Sequence, residues 1–131
     1  MQESSEKGHF EIAGELSFRA SHYLRTFRGS TEDLHEHDYR VRIAIKADEL
    51  DTDGIAFDFG ELDVILQLVR GKYEGHSLNE LSDFAAINPS TENLARSIAD
   101  FVYPKLKSAG VRVAFVEVFE LEHMSACYYP G

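Results

Sequence analysis

The chain has 131 residues, with 23 acidic and 13 basic side chains and a formal charge of -10. That length fits one domain with a hydrophobic core, and the acidic excess repels a phosphate backbone, which argues against nucleic acid as a partner. No apolar run approaches the length that crosses a membrane, and the N-terminal MQESSEKG lacks the apolar stretch of a secretory signal, so the expected location is the cytoplasm. Residues 1–8 read as a loose leader and 9–131 as a single domain. The single cysteine, Cys127, excludes an intrachain disulfide. It sits in the apolar stretch SACYY and is expected to be a buried, inert thiol.

From residue 9 to 20 the chain alternates. Phe10, Ile12, Leu16, Phe18 and Ala20 share one face, and period two predicts a strand. The polar stretch 25–33, with Gly29 and Ser30, reads as a loop. A second strand is predicted over 35–47, with Tyr39, Val41, Ile43 and Ile45 on one face and Asp38, Arg40, Arg42 and Lys46 on the other. DELDTDG (48–54) is a turn-rich break. Asp58 reads as a helix N-cap with Glu61 completing a capping box, and Leu62, Ile65, Leu66, Val69 and Tyr73 follow at helical spacing. NPST (88–91) opens a second helix, capped by Ser90 or Thr91. Its apolar stripe is Leu94, Ile98, Phe101, Val102 and Leu106, and Gly110 closes it. A third strand over 111–120 and a fourth near 126–129 complete the order β-β-α-α-β-β. The expected fold is α+β, an antiparallel sheet with two helices packed on one face. Its two open sheet edges invite oligomer formation.

The segment LHEHDYRV (34–41) carries the chemistry. His35 and His37 are two apart on a strand, so both imidazoles point the same way, in phase with the apolar face of Tyr39, Val41 and Ile43. Two imidazoles converging there are expensive to bury without a shared purpose. Zinc supplies one, since neutral imidazole is its usual nitrogen ligand. His22 has the parity of the inward face of the first strand and is the candidate third ligand. Three histidines with an open fourth position are the layout of a catalytic zinc site. His9, His76 and His123 do not share this pattern, and His9 and His123 are expected to face solvent or to be hydrogen-bonded.

FRASHYL (18–24), LHEHDYRV (34–41), IAFDFGEL (55–62), HSLNEL (76–81), NPSTENLA (88–95) and VEVFE (116–120) fall in order along the chain. Together they resemble the 6-pyruvoyl-tetrahydropterin synthase and 6-carboxytetrahydropterin synthase superfamily, from about residue 10 to 129. The resemblance implies a tunnelling fold, in which β-β-α-α-β-β subunits join their sheets into an oligomeric barrel, as a hexamer (dimer of trimers) or a tetramer. It implies a pterin substrate bound between subunits, and three histidine ligands to Zn2+, which fall on His22, His35 and His37. It also implies a glutamate that anchors the pterin ring, which falls on Glu120; Ser90 or Thr91 would help to fix the ring. A carboxylate can accept two parallel N–H bonds from the ring's amino-pyrimidine edge.

The sequence departs from the family at three places. The usual catalytic cysteine position holds Thr31, a far weaker nucleophile and base than a thiolate. The next residue, Glu32, resembles a variant subgroup in which a glutamate takes over and the side chain of dihydroneopterin is cleaved to 6-hydroxymethyl-7,8-dihydropterin. The family's histidine–glycine–histidine glycine is Glu36, which by parity points away from the metal and should pair with a cation. The second catalytic element is reduced to EGHSLN (74–79), where His76 is the candidate proton relay. The resulting reading is a zinc-dependent lyase with Glu32 and His76 as catalytic residues. The alternatives are 6-carboxytetrahydropterin or 6-pyruvoyl-tetrahydropterin synthesis, and a non-catalytic pterin-binding oligomer. Arg25, Arg28 and Lys72 are candidates for a substrate phosphate.

Overall fold

Alternating apolar residues draw two long strands together at the start of the fold. In a computed structural model describing residues 8–106 and 110–131, β1 spans Phe10–His22 and β2 spans His35–Ala47. They pair antiparallel without a break, from Phe10 opposite Ala47 to His22 opposite His35. The strand thus runs through His22 rather than stopping at residue 20, because the ladder to β2 continues to its end. Next come α1 (Phe59–Tyr73) and α2 (Thr91–Val102), then β3 (Val111–Leu121) and β4 (Met124–Tyr128). The sheet order is β1-β2-β3-β4, all antiparallel. The expected leader, apart from Gly8, lies outside the described residues.

Both helices pack on one face of the sheet, α1 on β1 and α2 on β3 and β4. Leu16, Phe18, Tyr39, Val41, Ile43 and Ile45 from the sheet meet Leu62, Leu66, Val69, Leu94, Ile98 and Val102 from the helices in one buried cluster. Gly14 lets α1 come close: a Cβ there would lie 2.8 Å from Leu66 Cδ1. The helix starts follow their caps. Asp58 accepts from the Glu61 amide at 3.0 Å, and Ser90, not Thr91, caps α2 by accepting from the Asn93 amide at 3.1 Å. No described helix is long and apolar enough to cross a membrane.

Three expectations are corrected. The second helix ends at Val102 and passes into a 3₁₀ turn, Tyr103–Lys105, because Pro104 has no N–H to continue the helical ladder. Leu106 therefore lies beyond the helix, and Gly110, with φ +79°, leads into β3 instead of closing α2. The fourth strand begins at Met124 rather than 126, since a tight hairpin at Glu122–His123 starts pairing at once. Cys127 is exposed, not buried. The described helices cover one face of the sheet, and Cys127 alternates outward on the edge strand β4, while Ala126 and Tyr128 turn inward.

A polar chain locks the helices together under the core. Tyr73 Oη and Ser97 Oγ are 2.6 Å apart, and Ser97 Oγ lies 2.6 Å from Asp83 Oδ2. Lys72 Nζ donates to Asp83 Oδ1 at 3.1 Å. Burial pushes the Tyr73 hydroxyl well above its ordinary range, so it stays a neutral donor. Burial also pushes the Asp83 carboxyl up, but the Ser97 and Lys72 bonds outweigh it and hold Asp83 below the usual value. Ser97→Ala is therefore expected to destabilise the fold by about 1–3 kcal/mol, since it strips a partner from the buried Tyr73 hydroxyl and from the half-buried Asp83 carboxylate. Urea unfolding, read as a lower midpoint with unchanged slope, checks this.

Candidate active site and metal centre

Register alone brings three histidines to one corner. His22 is the last residue of β1 and lies opposite His35, the first of β2. His37 is two residues on, on the same face and opposite the small Ala20. Their rings stand edge to face, with centroids 4.5 Å (His22–His35), 5.2 Å (His22–His37) and 4.8 Å (His35–His37) apart. One nitrogen from each falls within 4.8 Å of the others, so the three form a group that could hold a metal ion.

The donor chemistry fits such an ion. His22 is only 2 % exposed. Its Nδ1 lies 2.7 Å from the Pro89 carbonyl, which can only accept, so Nδ1 carries the proton and Nε2 presents its lone pair. That Nε2 is buried without a hydrogen-bond partner among the described residues, which would be costly in the absence of a Lewis acid. A backbone carbonyl fixing the far nitrogen is the usual support for a metal-bound imidazole. His35 Nδ1 and His37 Nε2 lie 2.7 Å apart, turned toward each other. Three nitrogen donors suit zinc and leave a position for substrate.

Around this trio the structure gathers most of the expected residues. Glu120, at the end of the inward face of β3, has Oε2 3.4 Å from His37 Nε2 and Oε1 3.6 Å from His22 Nε2. Thr91 Oγ1 donates to Glu120 Oε1 at 2.7 Å. Ser90 stands beside them but spends its hydroxyl oxygen on the α2 cap. Glu32 Oε1 accepts from the Leu24 amide at 3.0 Å and lies 3.4 Å from His35 Nε2. Thr31 turns elsewhere, donating to the Arg25 carbonyl at 2.8 Å. Glu36 points to the other face, pairing with Arg19 at 3.0 Å as its parity requires. His76 is exposed. Its carbonyl accepts from the Ser21 amide at 3.1 Å, which ties its backbone beside His22. Gly75, before it, has φ +77°, a conformation that excludes a histidine at that position without strain. His9 pairs with Glu11 at 3.1 Å on the surface.

Several supporting residues leave only a faint signal in the sequence. Asn79 brackets Tyr23, accepting from its amide and donating to its carbonyl, both at 2.9 Å. Asn88 does the same for the Arg25 amide (2.8 Å) and the Thr26 carbonyl (2.9 Å). These amides replace strand pairing just where β1 ends and so hold the loop carrying Glu32. Loop asparagines inside HSLNEL and NPSTENLA were the available hint. Arg25 donates to the carbonyls of Ile87 (2.8 Å) and Asn79 (3.1 Å), and Lys72 is held by Asp83. Both are engaged within the fold, and the Arg28 guanidinium lies over the Phe27 ring, 5.2 Å from its centroid.

Burial lowers the pKa of His37, with Glu120 pulling the other way. In Glu32 the Leu24 amide holds the carboxyl below its ordinary value, against a smaller opposing effect of burial. Burial raises the Tyr39 hydroxyl, and its oxygen is unpartnered behind the site among the described residues. For His37 the unfolded chain takes up a proton near the ordinary 6.5, while the folded chain resists it. The unfolded state then binds more protons, so stability falls as pH drops through that region. Metal-free protein is expected to lose urea resistance below about pH 6.5, and His37→Gln to reduce that loss.

The sequence matches the family described as 6-pyruvoyl tetrahydropterin synthase over residues 11–131. A Bacillus subtilis 6-carboxy-5,6,7,8-tetrahydropterin synthase is 32% identical over 126 residues, covering 92% of this chain and 84% of that protein. The fold superposes on a Caenorhabditis elegans 6-pyruvoyl tetrahydropterin synthase with a TM-score of 0.83 at 17% identity, covering 95% and 98% of the two chains. It also superposes on a Plasmodium vivax 6-pyruvoyltetrahydropterin synthase altered at a glutamate designated its catalytic residue, with a TM-score of 0.77 at 20% identity, covering 95% and 99%. The match runs through β1, both helices and β4, and through every residue of the histidine corner. This chain therefore belongs to the 6-pyruvoyl tetrahydropterin synthase family.

Proposed function

We propose that this protein is a zinc-dependent lyase that cleaves the side chain of 7,8-dihydroneopterin, or of its triphosphate, to 6-hydroxymethyl-7,8-dihydropterin. The observation that carries the reading is the contrast between neighbours. Glu32 lies against His35, while the Thr31 hydroxyl is spent on the Arg25 carbonyl. The Plasmodium vivax relative, whose catalytic residue is a glutamate, supports an acid in this role.

His22, His35 and His37 would hold the zinc. Bound there, it supplies Lewis-acid polarisation of the side-chain hydroxyls and lowers their pKa. Glu32 keeps Oε1 on the Leu24 amide and takes the 2′-hydroxyl proton with its other oxygen. The C1′–C2′ bond then breaks. Its electron pair moves toward the ring imine, C2′ leaves as glycolaldehyde or its phosphate ester, and C1′ is reprotonated, so no oxidant is needed. His76 is the second proton carrier; the bond of its backbone carbonyl to the amide of Ser21, the neighbour of His22, supports this role. Glu120, oriented by Thr91 with Ser90 alongside, receives the ring's amino-pyrimidine edge, and fixed geometry supplies much of the rate.

The cavity at Glu120 and Thr91 is about 190 Å³, below the roughly 300 Å³ at which small-molecule sites begin. A site completed by a second copy explains that shortfall. The edge of β1 short of Arg19, and the edge of β4, have no strand partner among the described residues and would offer the pairing surfaces, in a hexamer or a tetramer.

A second reading, 6-carboxytetrahydropterin synthesis, is favoured by the name of the Bacillus subtilis relative. Incubating zinc-loaded protein with dihydroneopterin and with its triphosphate, and identifying products by mass spectrometry, separates the two. The lyase gives 6-hydroxymethyl-7,8-dihydropterin and a two-carbon aldehyde. Acetaldehyde with a 6-carboxy product, or a pyruvoyl product, rejects it.

A further inference from the structure

Glu120 stands between two environments. On one side its oxygens reach the buried Nε2 of His22 at 3.6 Å and the Nε2 of His37 at 3.4 Å. Donors bound at 2.0–2.2 Å around one tetrahedral zinc lie about 3.3–3.6 Å from each other. Each oxygen of the carboxylate therefore already stands at the donor-to-donor spacing of a fellow ligand from one imidazole, Oε1 from His22 and Oε2 from His37. On the other side, with Thr91, Met124 and Ser125, it lines the 190 Å³ cavity, to which none of the three histidines contributes. Thr91 grips only Oε1, at 2.7 Å, and the side chain is 25% exposed, so it is free to turn from one side to the other.

We infer that Glu120 is an exchangeable fourth ligand of the metal, bound to it while the cavity is empty and released to the incoming pterin ring. This rests on the metal reading above and adds a resting state to it. Two parallel N–H donors from an amino-pyrimidine edge are the kind of partner that can draw both carboxylate oxygens away from a cation. Substrate would thereby uncover the coordination position that its own hydroxyls need. In its absence a carboxylate would reduce the net charge of a dication among neutral imidazoles and keep stray ligands off it.

Cobalt(II)-loaded protein reports this directly through its visible ligand-field bands. Glu120→Gln is expected to change that spectrum and to weaken zinc binding, measured against a chromophoric chelator, by at least about tenfold. Adding 6-methyl-7,8-dihydropterin, which has the amino-pyrimidine edge but no side-chain hydroxyl to bind the metal, should shift the bands of the unaltered cobalt protein toward those of the variant and leave the variant's own bands in place. A variant with unchanged affinity and bands, or an unaltered protein whose bands ignore the pterin, overturns the proposal. If Glu120→Gln fails to fold by circular dichroism, the response of the unaltered protein to pterin decides alone. Failure of the unaltered protein to bind cobalt or zinc refutes the metal centre itself, and this role with it.

Discussion

His22→Ala is expected to yield a folded protein that retains no metal through dialysis and has no measurable turnover. His22 is the most buried of the three imidazoles and the one whose far nitrogen is fixed, by the Pro89 carbonyl at 2.7 Å. Losing an outer partner of a metal ligand weakens binding by about 10–100-fold, and losing a ligand goes beyond that. Truncation also leaves the buried Pro89 carbonyl without its donor, at about 1–3 kcal/mol, so the variant should unfold at lower urea while staying native at low temperature. Metal content by elemental analysis and turnover by product assay test this together. His123→Ala is the matched control. It lies in the exposed β3–β4 turn and should change neither. A His22→Ala protein that still holds stoichiometric zinc would place the metal somewhere other than this corner.

Glu32→Gln is expected to lower turnover by about 10²–10⁴-fold, the usual contribution of a positioned general base, with zinc and pterin affinity close to unaltered. The amide keeps an oxygen for the Leu24 N–H, now 3.0 Å from the carboxylate, so the loop stays in place while the proton acceptor is lost. The low pKa imposed by that amide keeps Glu32 ionised and ready to accept a proton, though it limits its strength as a base. Thr31→Ala should leave turnover almost unchanged, because its hydroxyl serves only the Arg25 carbonyl. Pterin titration by fluorescence and steady-state kinetics separate binding from chemistry. If Glu32→Gln turns over within about twofold of the unaltered protein, Glu32 is a loop support and not a base.

The sheet was readable from alternation because burial of one face imposes period two on any strand beneath helices. That rule fixed the inward face of β1 and β2, and with it the shared direction of His35, His37 and His22. It also sent Glu36 outward to Arg19. Helix starts were equally legible, since Asp58 and Ser90 act on amides three residues away, within the same segment. The end of α2 at Val102 follows from Pro104, whose missing N–H is a local property too.

Distance between segments was not legible, and the site depends on it. Parity says which way a side chain faces, not how far it lies from a residue 80 positions on. Only the β2–β3 register and the seating of α2 bring Glu120 to the imidazoles and to Thr91. The partner of His22 is a backbone carbonyl, which no side-chain pattern records. Cys127 showed the same limit in reverse, because an apolar stretch on an edge strand still turns alternate residues away from the face that the described helices cover. Sequence by itself determined the elements, their inward faces and the residue types able to bind a cation, since these follow from local sterics and periodic burial. Tertiary structure decided which of those residues meet and which cations are already committed within the fold, because packing joins groups that the chain keeps far apart.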